Sequence, residues 1–351
     1  MLKKCLLLII LFTGAIFVGG CDGEPESGEQ ETFEFSLAHF FPANHPAETE
    51  LVQGWAQEIN EATDGRVTIT SYPGETLSDA DEIYNAVTSG IADIGLSCFS
   101  YTRGRFPVLE AFELPGIVYE TSWAASKTAW EGIQKLDPEE VQDTQLMFVL
   151  ATGPGDLFTT TPVNNLEDLQ GMNIRATGLS AETLEELGAT PDAMPQSEAY
   201  EALARGMVQG NLSPVEVLEG WNHGEVTDYL TRTPFLYNTL FFVTMNQEKW
   251  DRLPADIQTT IEEVNEAFFE EVACSLWDEQ NSSAWEWAVE ETGQELIELS
   301  ESETERWIEK VQPIQEKYKE NMEAAGHDGA EILEMVQELA ENYAEEYDEA
   351  N

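Results

Sequence analysis

The sequence predicts an α/β protein of two lobes facing one another across a cleft, with a long helix bridging both lobes and extra helices at the C-terminus. Three observations carry that expectation. The 351 residues exceed one small core, and two domains are the natural reading at about 150 residues each. The stretch 82–93 aligns without gaps on 198–209, with Glu82, Tyr84, Ala86 and Gly90 coinciding with Glu198, Tyr200, Ala202 and Gly206. Two similar lobes would leave such a match, although two ordinary amphipathic helices also can. Finally, the stripe Ile257, Ile261, Val264, Phe268, Val272 and Leu276 runs for many turns within 254–289, long enough for one helix to brace both lobes.

In chain order, the first stretch is a processing signal. Lys3 and Lys4 precede an apolar core over 6–17, closed by Val18-Gly19-Gly20-Cys21. That core is too short and too asymmetrically flanked for a transmembrane helix. Its end is similar to a bacterial lipobox, which implies a lipoprotein signal peptide over 1–20 and a diacylglyceryl thioether on Cys21 that holds the protein to a membrane. An ordinary secretory signal cut nearby is the alternative. Residues 21–31 are polar, rich in Gly and Glu and without periodicity, a flexible tether.

The first lobe is expected over 32–152. Phe33, Phe35 and Leu37 alternate with polar residues in a half-buried strand, which runs into the aromatic and polar loop 39–46. A helix follows with Pro46 in its first turn and Leu51, Trp55, Ile59 and Ala62 on one stripe, stopped by Gly65. The β-branched run 66–72 is the next strand. Ser78-Asp79-Ala80-Asp81 resembles a capping box and opens a helix that ends at Gly90. Residues 92–97 form a short buried strand leading into the loop 98–106, and strand ends of this kind are where α/β sheets hold ligands. A helix over 120–136 and an apolar strand over 146–151 complete the lobe. Gly153-Pro154-Gly155 then breaks the pattern, a fit place for the chain to cross.

The second lobe is expected over 153–236: a turn at 165–171, a strand ending at Arg175, a helix over 180–187, a strand over 191–194 and the second copy of the repeat. After Ser213-Pro214 come Trp221, His223, Tyr229, Phe235 and Tyr237. The apolar strand 240–245 returns to the first lobe, which takes up about 237–260. The bridging helix (254–289) and acidic helices at 302–320 and 330–347, within 290–351, close the chain.

Charge narrows the function. Only 16 Lys and Arg stand against 68 Asp and Glu, a formal net charge of -52. Nucleic acid is an implausible partner, because its binding rests on Lys and Arg contacts to phosphate. The surface suits very salty water instead, where self-repulsion is screened within a few ångströms. Of the 4 Cys, Cys5 is discarded and Cys21 lipidated. Cys98 and Cys274 fit no metal motif and read as two buried free thiols, although an exported protein can also pair them.

Against this background one cation stands out. Arg175 follows Met172 and Ile174 in a short alternating run and precedes Ala176-Thr177-Gly178, which reads as strand, turn and helix opening. A guanidinium offers five donors in a rigid fork that grips a carboxylate or sulfonate by two hydrogen bonds at once. A structural salt bridge to an internal acid is the competing reading. Enzyme signatures such as GxSxG, CxxC, HExxH and GxxxxGK[ST] are absent, no cofactor is implied, and His39 and His45 fit hydrogen-bonding roles in their loop better than a metal site. An exported acidic hydrolase using carboxylates in the same cleft remains the rival.

Several segments, in order, resemble one family. Tyr72-Pro73-Gly74, Gly90-Ile91-Ala92-Asp93-Ile94-Gly95, Phe112-Glu113-Leu114-Pro115, Leu166-Glu167-Asp168-Leu169-Gln170-Gly171-Met172-Asn173-Ile174-Arg175 and Met194-Pro195-Gln196-Ser197-Glu198-Ala199-Tyr200 look like the DctP family, the solute-binding receptors of tripartite ATP-independent periplasmic (TRAP) transporters. The likeness runs from about 33 to about 289. It implies a periplasmic-binding-protein-like fold that closes over a small organic anion and delivers it to membrane permease subunits driven by an ion gradient. The family's carboxylate-clamping arginine falls on Arg175. A second arginine common in the family is missing from Gly153-Pro154-Gly155-Asp156, and Ser213 stands where Asn usually precedes the proline. Those departures favour a monoanion, or a zwitterion with an amine, over a dicarboxylate or sialic acid. Around Arg175 we expect Phe40, Phe41 and His45 from the first loop, then Ser97, Cys98 and Tyr101, with Gly155 and Thr177 beside them and Ser213, Glu216 and Trp221 opposite. Arg103 or Arg105 is expected to supply a second charge.

Overall fold

The computed structural model describes residues 31–350; the signal segment and Cys21 lie outside them. The chain first lays down β1 (Phe33–His39), β2 (Val67–Tyr72), β3 (Ile94–Cys98) and β4 (Thr144–Ala151). It then crosses to β5 (Asp156–Thr159), β6 (Asn173–Ala176), β7 (Thr190–Ala193), β8 (Gly210–Ser213) and β9 (Tyr229–Thr231). β10 (Leu240–Asn246) returns to the first group and β11 (Glu295–Ile297) joins the second. Hydrogen bonding sorts them into a five-stranded sheet, β2-β1-β3-β10-β4, and a six-stranded one, β11-β9-β5-β8-β6-β7. In each sheet the strand that has just crossed runs antiparallel to both neighbours: β10 against β3 and β4, β5 against β8 and β9. The remaining pairs are parallel. This is the two-lobed α/β fold that the sequence predicts.

β10 is buried along its whole length, and its run of Leu, Phe and Val is what a strand covered on both faces requires. The parallel strands and their crossing partners bring one set of ends together. The C-terminal ends of β3 and β4 meet the N-terminal end of β10, with Phe241 opposite Cys98 and Leu240 opposite Ala151. In the other sheet Asp156 opens β5 opposite Ser213, which ends β8. Two glycines permit close approaches, the first within the crossing segment and the second between the facing lobes. Gly153 has φ +70, and a Cβ there would sit 2.7 Å from the Ser122 nitrogen; Gly178 has φ +52, and its Cβ would sit 2.6 Å from Ser100 Cβ in the other lobe.

The long helix is interrupted. An α-helix over Ala255–Phe268 widens into a π-type segment, Phe269–Ala273, turns, and resumes over Leu276–Trp287. Phe268 and Phe269 are both buried, and adjacent positions on a regular helix point well apart, so the wider turn swings the buried face round. Expected and observed starts also differ at Ser78. Its hydroxyl donates to the Asp79 carbonyl instead of capping, and the helix begins at Ile83.

The two C-terminal helices, Glu301–Ala325 and Gly329–Ala350, do more than cover the outside. The first ties to the second lobe through Glu303 with Leu166, Arg306 with Glu167 and Lys317 with Glu182. The same helix holds the first lobe through Gln315 to the Pro115 carbonyl and Tyr318 to the Val108 carbonyl.

Candidate functional site

Arg175 ends up at the converging strand ends. β6 buries Ile174, Arg175 and Ala176 in succession, and the arginine is 1% exposed. Its Nε donates to the Met194 carbonyl at 2.9 Å, Nη1 to Ser213 Oγ at 3.2 Å and Asn211 Oδ1 at 3.4 Å, and Nη2 reaches Tyr101 Oη at 3.5 Å. All these acceptors are neutral. The internal salt bridge that the sequence left open does not form: among the described residues Arg175 belongs to no ion pair. A cation out of water without a counter-charge costs several kcal/mol, and an arriving anion removes that penalty.

A second layer aims the guanidinium. Arg175 can only donate, so Asn211 presents its carbonyl oxygen to it and turns its NH2 to His223 Nδ1, 3.2 Å away. The other ring nitrogen, Nε2, faces the Gln196 amide at 3.1 Å. Burial first, then the neighbouring Arg175, push His223 down to about 3, so the imidazole orients its partners as an uncharged ring. Sequence reasoning missed Gln196, Asn211 and His223 as site residues; Gln196 and Asn211 bracket the repeated helix, which is the one signal that could have flagged them.

Aromatic rings wall the space in front of the guanidinium. Phe40 stacks on Phe41 with centroids 4.2 Å apart and on Trp221 at 6.0 Å, and tilts against Tyr101 at 5.4 Å. Phe40, Phe41, Cys98, Tyr101, Thr177, Ser213, Glu216 and Trp221 all line this space with Arg175, together with Tyr237 and Phe241. The cavity left between them is 20 Å³, room for about one water molecule. Larger hollows flank it, one of 520 Å³ bordered by Arg103 and Glu182 and one of 480 Å³ bordered by His45 and Glu219. Neither contains the buried guanidinium, and chemistry rather than size selects the small one.

Four expected residues stand elsewhere. Ser97 is buried and donates to the Ala80 carbonyl. Gly155 packs on Tyr237, where a Cβ would be 2.5 Å from the ring. His45 lies one layer back, with Nε2 3.4 Å from Glu216 Oε2. Arg105 turns away to pair with Asp143 and sits 4.6 Å over the Tyr84 ring; in so acidic a chain a nearer carboxylate captured it. Asp156 pairs with Arg232 at 3.6 Å, and burial against that arginine's pull moves it up to about 6. Cys98 and Cys274 are buried free thiols. Among the described residues no group of three His, Cys, Asp or Glu is placed to hold a metal, and no helix is long and apolar enough to cross a membrane.

Comparison with known proteins supplies the family and the fold. Residues 37–321 match the family described as bacterial extracellular solute-binding protein, family 7, DctP. A solute-binding protein of Roseobacter denitrificans is 25% identical over 213 residues, 59% of this chain but only 64% of that protein's length. The C4-dicarboxylate-binding periplasmic protein DctP of Rhodobacter capsulatus is 27% identical over 78% of this chain and 81% of its own. Among solved structures, a TRAP periplasmic solute-binding protein from Desulfovibrio salexigens is 34% identical with a TM-score of 0.75, covering 88% of this chain and 96% of that one. A marine-metagenome TRAP solute-binding protein specific for aromatic acid ligands, in complex with metahydroxyphenylacetate, is 26% identical with a TM-score of 0.83, covering 88% and 99%.

Proposed function

The chain belongs to family 7 of the bacterial extracellular solute-binding proteins, the DctP family, and from that membership and the surroundings of Arg175 we propose that it captures a small aromatic monocarboxylate between its lobes. It is a TRAP-type extracytoplasmic solute-binding receptor for organic acids. The finer reading rests on one observation: a buried guanidinium with no acidic partner among the described residues faces a space walled by Phe40, Phe41, Tyr101 and Trp221. The fork takes the carboxylate and the rings take the aromatic body. Two charge-assisted hydrogen bonds at about 1.5–3 kcal/mol each, plus burial of a ring, reach the roughly 8 kcal/mol of micromolar binding. A 20 Å³ cavity holds no ring as it stands, so capture goes with movement of the lobes about the crossing segments. A diacyl lipid on Cys21 keeps the receptor at the membrane, where permease subunits accept the cargo.

The test is calorimetric titration of the full chain with benzoate and, as a control, succinate, followed by recovery of the ligand. Micromolar benzoate binding, weaker succinate binding and ligand returned unchanged support the reading. Substituting Arg175→Met removes the clamp while filling its space, and should abolish binding with the melting temperature held or raised. Undiminished benzoate affinity in that variant would take Arg175 out of the site.

A further inference from the structure

The space around Arg175 has a second charged pole. Glu216 follows Ser213-Pro214, lines the same cavity and is 4% exposed; Arg175 and Glu216 are the only charged side chains among the residues that line it. His45 reaches Glu216 from the other lobe at 3.4 Å. The Ala47 backbone N–H donates to His45 Nδ1 at 3.1 Å, so Nδ1 is the accepting nitrogen and Nε2 carries the proton that Glu216 receives. Among the described residues this is the one side-chain hydrogen bond to the Glu216 carboxylate, whereas a carboxylate offers about four acceptor positions.

We propose that Glu216 determines specificity, selecting aromatic carboxylates that carry a hydrogen-bond donor away from the carboxylate, a hydroxyl or an ammonium, and rejecting those with a second carboxylate. The inference rests on the aromatic-monocarboxylate reading and deepens it. Arg175 binds the anionic end. A donor at the far end satisfies acceptor positions on Glu216 that a bare ring leaves desolvated with one partner, at a cost. An ammonium adds charge neutrality, because each pole then has its opposite. A second carboxylate meets a like charge in an apolar box, where water screens little. His45 holds Glu216 in place across the cleft and is a positioning residue.

Titration of the full chain with benzoate, 3- and 4-hydroxybenzoate, 3- and 4-(aminomethyl)benzoate, isophthalate and terephthalate tests this. At least one donor-bearing acid should bind about tenfold or more tighter than benzoate, and both dicarboxylates should bind more weakly than benzoate. Glu216→Gln keeps shape and removes charge. It should erase an advantage of the ammonium compounds, leave part of a hydroxyl advantage through the amide oxygen, and bring the dicarboxylates up to benzoate. Equal affinities across the wild-type series, within about threefold, overturn the role of Glu216 while leaving the aromatic-monocarboxylate reading intact, and do so even if the variant does not fold. An unchanged order in a folded Glu216→Gln protein also overturns it. Failure of every compound, benzoate included, overturns both readings.

Discussion

Glu113 offers a test of the fold beside the cleft. It ends a short 3-10 helix, Leu109–Glu113, is buried, and accepts the Leu240 backbone N–H at 2.7 Å at the start of β10. Burial, helped by the charge of Glu110, pushes its carboxyl up to about 8 from an ordinary 4.5. For an acid whose folded value is raised, the stabilising contribution is complete below 4.5 and is lost as pH rises through 8. Each unit of difference is about 1.4 kcal/mol, so ionisation at pH 8 costs the folded state about 4 kcal/mol, against under about 1 kcal/mol at pH 5. Glu113→Gln keeps an oxygen for Leu240 and cannot ionise. Urea unfolding of both proteins should show them within about 1 kcal/mol at pH 5 and the variant ahead by about 4 kcal/mol at pH 8. The difference between the two proteins cancels Asp156, which also titrates upward of its usual range, and contains Glu113 together with its coupling to Glu110. A gap independent of pH, or a wild type that gains on the variant at pH 8, would refute the reasoning.

Two further outcomes are expected. Gly178→Ala forces a side chain onto φ +52, a strain of about 1–3 kcal/mol that lowers stability with the lobes apart or together, and sets its methyl against Ser100 of the facing lobe, a clash felt only when the lobes meet; ligand affinity should fall about tenfold or more by calorimetry, and an unaltered affinity would show that Ser100 and Gly178 need not touch. With a formal charge of -52, added NaCl should screen self-repulsion and raise the melting midpoint; a steady fall with salt would count against a protein adapted to brine.

Arg175 was legible because alternation, a turn and a helix start all converge on it within a few residues, and local signals of that kind survive folding. The two lobes were legible for a related reason, since each copy of the repeat carries its own strand-helix grammar. What escaped notice depends on partners distant in sequence. β5, β9 and β11 are too short for a period to register, and pairing with strands far along the chain creates them. Asn211, Gln196 and His223 become one network only when three connections meet behind β6. Arg105 looked free because Asp143 is 38 positions away. The break in the long helix was hidden because the stripe from Ile257 to Leu276 reads as continuous; that both Phe268 and Phe269 must be covered becomes visible only once Phe148 and Trp130, more than a hundred positions earlier, pack on them.

The first C-terminal helix takes hold of the second lobe near its start, through Glu303 and Arg306, and one later turn of it grips both lobes at once, the first through Gln315 and Tyr318 and the second through Lys317. Pro313 lies just before that shared turn, where it withholds one rung of the hydrogen-bond ladder and crowds the preceding turn. A beam pinned to two leaves at one point acts as a hinge pin. The swing of the mouth should then turn about residues 315–318, remote from the cargo, and loosening the pin with Lys317→Met should change how readily cargo leaves without altering a single atom that the guest touches.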